Sequence, residues 1–115
     1  MSALGRPSVP EIEPDAAARA GDVVLLDVRE DDEWAAGHAP DARHVAMSRL
    51  GDAVDDLPHD RTIVCVCRSG NRSAAVTQAL VGIGLDAVNL VGGMQRWSQE
   101  GLPVVTDAGA PGTVI

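Results

Sequence analysis

The sequence predicts a small three-layer α/β domain, with a mostly parallel central sheet and helices on both faces. Three observations predict it. Residues 23–26 are a continuous aliphatic and β-branched run, and 62–66 and 87–91 are predominantly apolar without polar alternation, the pattern of strands covered on both sides. The segments between them carry helix starts, apolar stripes and glycine stops, so strand and helix alternate. The chain has 115 residues and a hydrophobic fraction of 45%, which suits one domain. Aromatics make up only 2%, with no Phe or Tyr, so the core is expected to be aliphatic.

Taken in order, residues 1–8 are expected to be disordered, and the domain to span residues 9–104. Val9 to Ile12 predicts an edge strand kept short by Pro7 and Pro10. Pro14 suits the first turn of a short helix that ends before Gly21-Asp22. The buried run 23–26 then ends in Asp27-Val28-Arg29. Polar residues at the carboxyl end of such a strand either line a ligand crevice or form an internal pair that ties the loop down. Residues 31–36 predict one or two helical turns, with acids at the start and Gly37 at the stop. Trp34 reads as packing. His38 opens the next loop, as a base or as a hydrogen-bonded strut.

Residues 44–47 predict another short strand, with Met47 in the core or pocket wall. Ser48 suits the N-cap of a helix carrying Leu50, Val54 and Leu57 at helical spacing. The strand over 62–66 places Cys65 and Cys67 on one side, which makes a disulfide between them awkward and leaves Cys65 as a small buried hydrophobe. A helix over 72–83 has Val76, Leu80 and Ile83 as its apolar face, with Ala75 and Ala79 allowing close approach to the sheet. After the strand over 87–91, Gly92-Gly93 turns the chain into a short helix over 94–100 bearing Met94 and Trp97. Leu102-Pro103-Val104 returns to the core, and residues 105–115 read as a mobile C-terminal tail.

The nine basic residues are all Arg and stand against 17 acids, a net charge of -8. That balance argues against a nucleic-acid or anionic-membrane surface. Two cysteines one residue apart are not a secreted disulfide framework, and three scattered histidines add no zinc set. No basic leader with an apolar run and no stretch approaching about 18 apolar residues is present, so a cytoplasmic setting is expected.

The candidate site is the stretch VCVCRSGNRSAAV, residues 64–76. Cys67 ends a strand, and Arg68, Ser69, Gly70, Asn71 and Arg72 form a tight loop before a helix. Gly70 allows the bend, successive N–H groups can make an anion nest, and two arginines and a helix N-terminus add positive potential. Together they should hold Cys67 as a thiolate and bind an oxyanion. No carboxylate or histidine lies in the loop, so the chemistry points to direct attack by a preformed thiolate, on sulfane sulfur or on a tetrahedral oxyanion.

These residues resemble the single-domain rhodanese (sulfurtransferase) family. LLDVREDDEWAAGHAPDARHV resembles its first signature, with Asp27, Arg29, Glu33, Gly37 and His38 at the polar and glycine positions. VCVCRSGNRSAAV resembles its active-site segment. NLVGGMQRWSQEGLPV resembles its closing segment, with Met94 where an aromatic is common.

The resemblance implies a sulfurtransferase in which Cys67 accepts sulfur as a persulfide and Arg68 to Arg72 surround it. Asp27, Arg29 and His38 would then support the loop rather than line it. It implies no metal and no organic cofactor. The expected partners are a small anionic sulfur donor such as thiosulfate, and an acceptor that is a small thiophile such as cyanide or a protein thiol. A monomer or weak dimer is expected. The six-residue loop from Cys67 to Arg72 goes with sulfur transfer in this family, and one residue more with its phosphatase and arsenate-reductase relatives. A non-enzymatic sulfur-carrier or regulatory module, and a phosphatase or arsenate reductase, are the alternatives.

Overall fold

The computed structural model describes residues 9–115; the N-terminal segment expected to be disordered, 1–8, lies outside the described residues. Five strands form one sheet: β1 (Glu11–Ile12), β2 (Val23–Asp27), β3 (Arg43–His44), β4 (Thr62–Val66) and β5 (Ala87–Leu90). Their order is β1-β5-β4-β2-β3, and every pairing is parallel. The mostly parallel sheet expected from the apolar runs is therefore parallel throughout, and β4 lies at its centre. Parallel strands end on one edge, so the loops after β2, β4 and β5 gather there.

The strands bury both faces, as their lack of alternation requires. Leu26, Ile63, Cys65 and Ala87 face one way, with Val76 and Leu80 of α4 (Asn71–Gly82). Val64, Val66 and Leu90 face the other, with Ala17 of α1 (Pro14–Arg19) and Met94 and Trp97 of α5 (Gly93–Gln99). Leu57 joins the first face, and Leu50 and Val54 pack on it half-buried. That stripe does not run along one helix. It spans a 3-10 turn (Met47–Arg49), α3 (Leu50–Ala53) and a second 3-10 turn (Val54–Asp56). Met47 is 37% exposed rather than a core or wall residue.

The face of α4 also differs from expectation. Its buried residues are Ser73, Val76, Thr77 and Leu80, a helical stripe that includes two hydroxyls. Ala75 and Ala79 face solvent, and Ile83 is 62% exposed just beyond the helix. The two polar positions can lie on the face that meets the sheet because both are hydrogen-bonded, Ser73 to groups at the strand ends and Thr77 within its own helix, as described below.

The expected mobile tail is instead folded back. His38 and Val105 exchange both main-chain hydrogen bonds at 2.8 Å, and the Thr113 amide donates to the Ala36 carbonyl at 2.9 Å. Val114 packs on the second core face. Gly37 makes this possible, since a Cβ there would lie 2.6 Å from the Thr113 backbone. Alternating Gly, Ala and Pro gave the segment no periodicity, so its order rests on this close approach. Among the described residues, no helix is long and apolar enough to cross a membrane.

Candidate active site

Strand β4 delivers Cys67 to the carboxyl edge of the sheet, where its side chain is 1% exposed. Three hydrogen bonds converge on Sγ: the Gly70 amide at 3.1 Å, the Ser73 amide at 3.4 Å and the Ser73 hydroxyl at 3.2 Å. Gly70 has φ 103°, the left-handed turn that brings its own N–H back onto the sulfur at little steric cost. Burial pushes the Cys67 thiol up. The Ser73 hydroxyl and the amides of Ser73, Gly70 and Ser69 outweigh it, and the thiol lies below its ordinary value.

The loop's carbonyls are tied outward. The first amides of α5 donate to them: Met94 to the Cys67 carbonyl at 2.8 Å and Gln95 to the Arg68 carbonyl at 2.9 Å. The described peptides are trans, so a carbonyl turned toward α5 sends the N–H groups of Arg68 and Ser69 the opposite way. Gly93 permits this contact, having φ 59° and no room for a Cβ, which would lie 2.6 Å from the Arg68 carbonyl oxygen.

The arginines are arranged differently from the sequence expectation. Arg72 does not stand open to an anion. Its two terminal nitrogens donate to the two carboxylate oxygens of Glu33 at 2.8 and 2.9 Å. Glu33 is held near pKa 2, chiefly by that contact. Arg68 is exposed, and its Nε donates to the Ile115 main-chain oxygen at 2.9 Å. With the Gln95 amide oriented to satisfy its partners, its oxygen accepts from both terminal nitrogens of Arg68 at 3.1 Å. The lowered Cys67 thiol thus owes its shift first to hydrogen bonds, with the charge of Arg72 acting on it as a smaller contribution. Ser69 and Asn71 are exposed at the rim of the loop, with Asn71 opening α4.

Asp27 and Arg29 form the internal pair. Both are fully buried. Arg29 donates through Nε to Asp27 Oδ1 at 2.9 Å and through its terminal nitrogen to Oδ2 at 2.8 Å and to the Gly37 carbonyl at 2.8 Å. Gly37 ends α2 (Asp31–Ala36), the helix that carries Glu33. The buried pair therefore anchors one end of α2, and Glu33 on that helix anchors Arg72. His38 is a strut beside this chain. Its Nδ1 faces the Ala39 carbonyl at 3.1 Å and its Nε2 the Asp107 carboxylate at 2.9 Å. Its ring stacks on Trp34 with centroids 3.5 Å apart, and Trp34 stacks on His44 at 4.8 Å. None of these His38 contacts reaches the Cys67 loop. Trp34 packs by stacking on both histidines, in line with the packing role expected of it.

Two site residues escaped the sequence reading. Ser73, one residue past the counted loop, supplies two of the three donors on Sγ. Asn89, 3% exposed on β5, donates through Nδ2 to the Gly70 carbonyl at 3.0 Å and accepts the Ser73 hydroxyl at 2.6 Å. The signal for Asn89 was present: a lone amide inside an apolar strand must find buried partners. Thr77 is satisfied by donating to the Ser73 carbonyl at 2.8 Å.

Comparison with known proteins agrees with this geometry. The rhodanese-like domain model matches residues 14–100. A protein of Allochromatium vinosum named a sulfurtransferase is 39% identical over 89 residues, covering 76% of this chain and 83% of that one. The crystal structure of a rhodanese-related protein from Thermoplasma volcanium superposes with a TM-score of 0.81 and 32% identity, over 85% of this chain and 99% of that one. A rhodanese-like domain protein from Staphylococcus aureus gives 0.72 and 34%, over 76% and 90%. A sheet of this order, a strand-end cysteine under three donors and a family match over most of the length lead to one conclusion: the chain belongs to the rhodanese-like domain family.

Proposed function

We propose that the protein is a sulfurtransferase that carries sulfane sulfur on Cys67. One observation carries the reading: Sγ lies beneath hydrogen-bond donors from Gly70 and Ser73, in a loop of six residues from Cys67 to Arg72. Such a shell favours a thiolate before substrate arrives, and its short span suits a sulfur atom better than a tetrahedral oxyanion. The relatives named above support the same chemistry.

The cycle is a double displacement. The Cys67 thiolate attacks the outer sulfur of a donor such as thiosulfate, a sulfur–sulfur bond forms, and the donor's own sulfur–sulfur bond breaks. Sulfite leaves with the electron pair. The outer sulfur of the persulfide carries the negative charge, and the Arg68 and Ser69 amides, turned away from α5 by their outward-tied carbonyls, are the donors offered to it. A thiophile, cyanide or the thiolate of a small molecule or partner protein, then attacks the outer sulfur, and Cys67 leaves as thiolate. Atoms and charge balance without metal or organic cofactor. Arg68, exposed at the rim, would meet the anionic donor first.

Incubation with thiosulfate followed by intact-mass analysis tests the reading. The expected result is a gain of one sulfur atom, absent in Cys67→Ser and discharged by cyanide with thiocyanate as product. No sulfur uptake, with turnover of a phosphate monoester or arsenate instead, would overturn it. Loading without turnover by small acceptors would mark a sulfur carrier that discharges only to a protein partner.

A further inference from the structure

The Ser73 hydroxyl has one proton and two acceptors. Cys67 Sγ is 3.2 Å away and Asn89 Oδ1 is 2.6 Å away, and a single O–H serves one of them at a time. All three side chains are buried, so whichever acceptor is left, water does not readily replace the bond. We infer that Asn89 is a positioning residue of the site: it holds the Ser73 hydroxyl when Cys67 is neutral and yields it to Sγ when the sulfur is a thiolate.

The direction follows from charge. A hydrogen bond to an ionised acceptor is stronger than one to a neutral acceptor, so a thiolate draws the proton from Asn89. A thiol, or a sulfur already bonded within a persulfide, is a weak acceptor, and the short bond to the Asn89 carbonyl then wins. On the sulfurtransferase reading, on which this part rests, the charge sits on the outer sulfur in the loaded state. The hydroxyl turns toward Asn89 as sulfur loads and back toward Sγ as Cys67 becomes the leaving group. No proton leaves Ser73; only the O–H direction changes. Without Asn89, the neutral state would bury an unsatisfied hydroxyl, a destabilising situation that the thiolate state escapes.

Asn89 also fixes the cradle from its other end. Its Nδ2 holds the Gly70 carbonyl at 3.0 Å, which sends the Asn71 N–H the opposite way across the trans peptide. That second action does not pass through Ser73, so a double-mutant cycle separates the two. The charged groups around the loop are Arg72, closed by Glu33, and the outward Arg68. They are common to every variant in the cycle.

The test is the titration midpoint of Cys67, followed by thiolate absorbance, in the full chain and in Ser73→Ala, Asn89→Leu and the double variant. Ser73→Ala should raise the midpoint by about one pH unit, a tenfold loss of thiol acidity. Asn89→Leu should shift the midpoint lower with Ser73 present than with Ser73→Ala, by a coupling of at least about threefold in the acidity constant. A merely structural Asn89 gives additive shifts, which would overturn the inference, as would a coupling of opposite sign. If Asn89→Leu does not fold, Asn89→Ser takes its place in the cycle with the same sign of coupling expected, and additive shifts overturn the inference; an unmoved midpoint in Ser73→Ala overturns it as well, because the hydroxyl then does not serve Sγ. The titration needs no sulfur donor, so its failure and a failure to load sulfur are separate results.

Discussion

Glu33 and Arg72 close on each other at two points, 2.8 and 2.9 Å, from elements 39 residues apart in the chain. The pair joins α2 to the helix that begins at the Cys67 loop. It also uses the charge that would otherwise face an incoming anion. Glu33 Oε1 in addition accepts the Glu30 amide at 3.0 Å and so caps its own helix. One carboxylate therefore holds a helix start and a loop end together.

The pair predicts a pH dependence. The Glu33 carboxyl falls from its ordinary 4.5 to about 2, first through the Arg72 hydrogen bond. A carboxyl depressed by folding stabilises the protein above its unfolded value and loses that contribution as pH falls through the folded one. Glu33→Gln should cost about 1–2 kcal/mol at neutral pH, a figure reduced for the solvent that reaches Arg72. The difference from the parent chain should shrink between pH 4.5 and about 2. Urea unfolding at several pH values measures it; a constant difference across that window would contradict the pairing.

The two cysteines should titrate far apart. Burial pushes the Cys65 thiol up to about 11, against a hydrogen bond with Thr77, whereas the donor shell draws Cys67 below its ordinary value. Cys67→Ser should therefore abolish the thiolate absorbance step that lies below the ordinary thiol value. Cys65→Ala should leave that step in place. A low step that survives Cys67→Ser would mean the wrong thiol carries the shift.

How much of this was legible depends on what kind of force fixes each part. The strands over 23–26, 62–66 and 87–91 were readable because sheet burial on two faces demands predominantly apolar runs, Asn89 being the exception among them. The Asp27–Arg29 network left two readings in the sequence, crevice or internal pair, until the family resemblance favoured the second. Spacing alone does not reveal that Arg29 reaches the Gly37 carbonyl. The cradle residues Ser73 and Asn89 were missed for a related reason. Each is a short polar side chain whose partner is set by tertiary approach, and a loop count that stops at Arg72 ends one residue early. The arginines' own partners were not legible either: Glu33 pairs with Arg72 and the Ile115 main chain accepts from Arg68, while Arg72 still acts on Cys67 through its charge. The C-terminal segment has no periodic pattern, and its order depends on a missing Cβ at Gly37.

Arg68 gives a test of donor capture apart from stability. Its side chain is exposed, with Nε on a main-chain oxygen and its terminal nitrogens beside Gln95. Arg68→Ala should raise the KM for thiosulfate by roughly threefold to tenfold while changing stability by less than about 0.5 kcal/mol. Use of an uncharged sulfur donor should be unaffected. Equal losses with charged and uncharged donors would remove the electrostatic role and leave Arg68 as a surface contact.

Gly93 tests whether the amides of the cradle must be aimed from outside. Its φ of 59° is already unfavourable for other residues, and a Cβ would press on the Arg68 carbonyl at 2.6 Å. Relief requires the loop to move off α5, which breaks the bonds from Met94 and Gln95 that turn the Cys67 and Arg68 carbonyls outward. Gly93→Ala should therefore raise the Cys67 titration midpoint and slow sulfur loading by at least about tenfold, beyond what its loss of stability explains. The measurement is the loading rate by intact mass, taken well below the variant's own unfolding transition. Gly84, which also has a positive φ of 93° but open space around a Cβ, is the control. Gly84→Ala should carry a similar backbone penalty and load sulfur at the parent rate. If the two variants load alike, backbone strain alone governs Gly93, and the outward-tied carbonyls have no part in the chemistry.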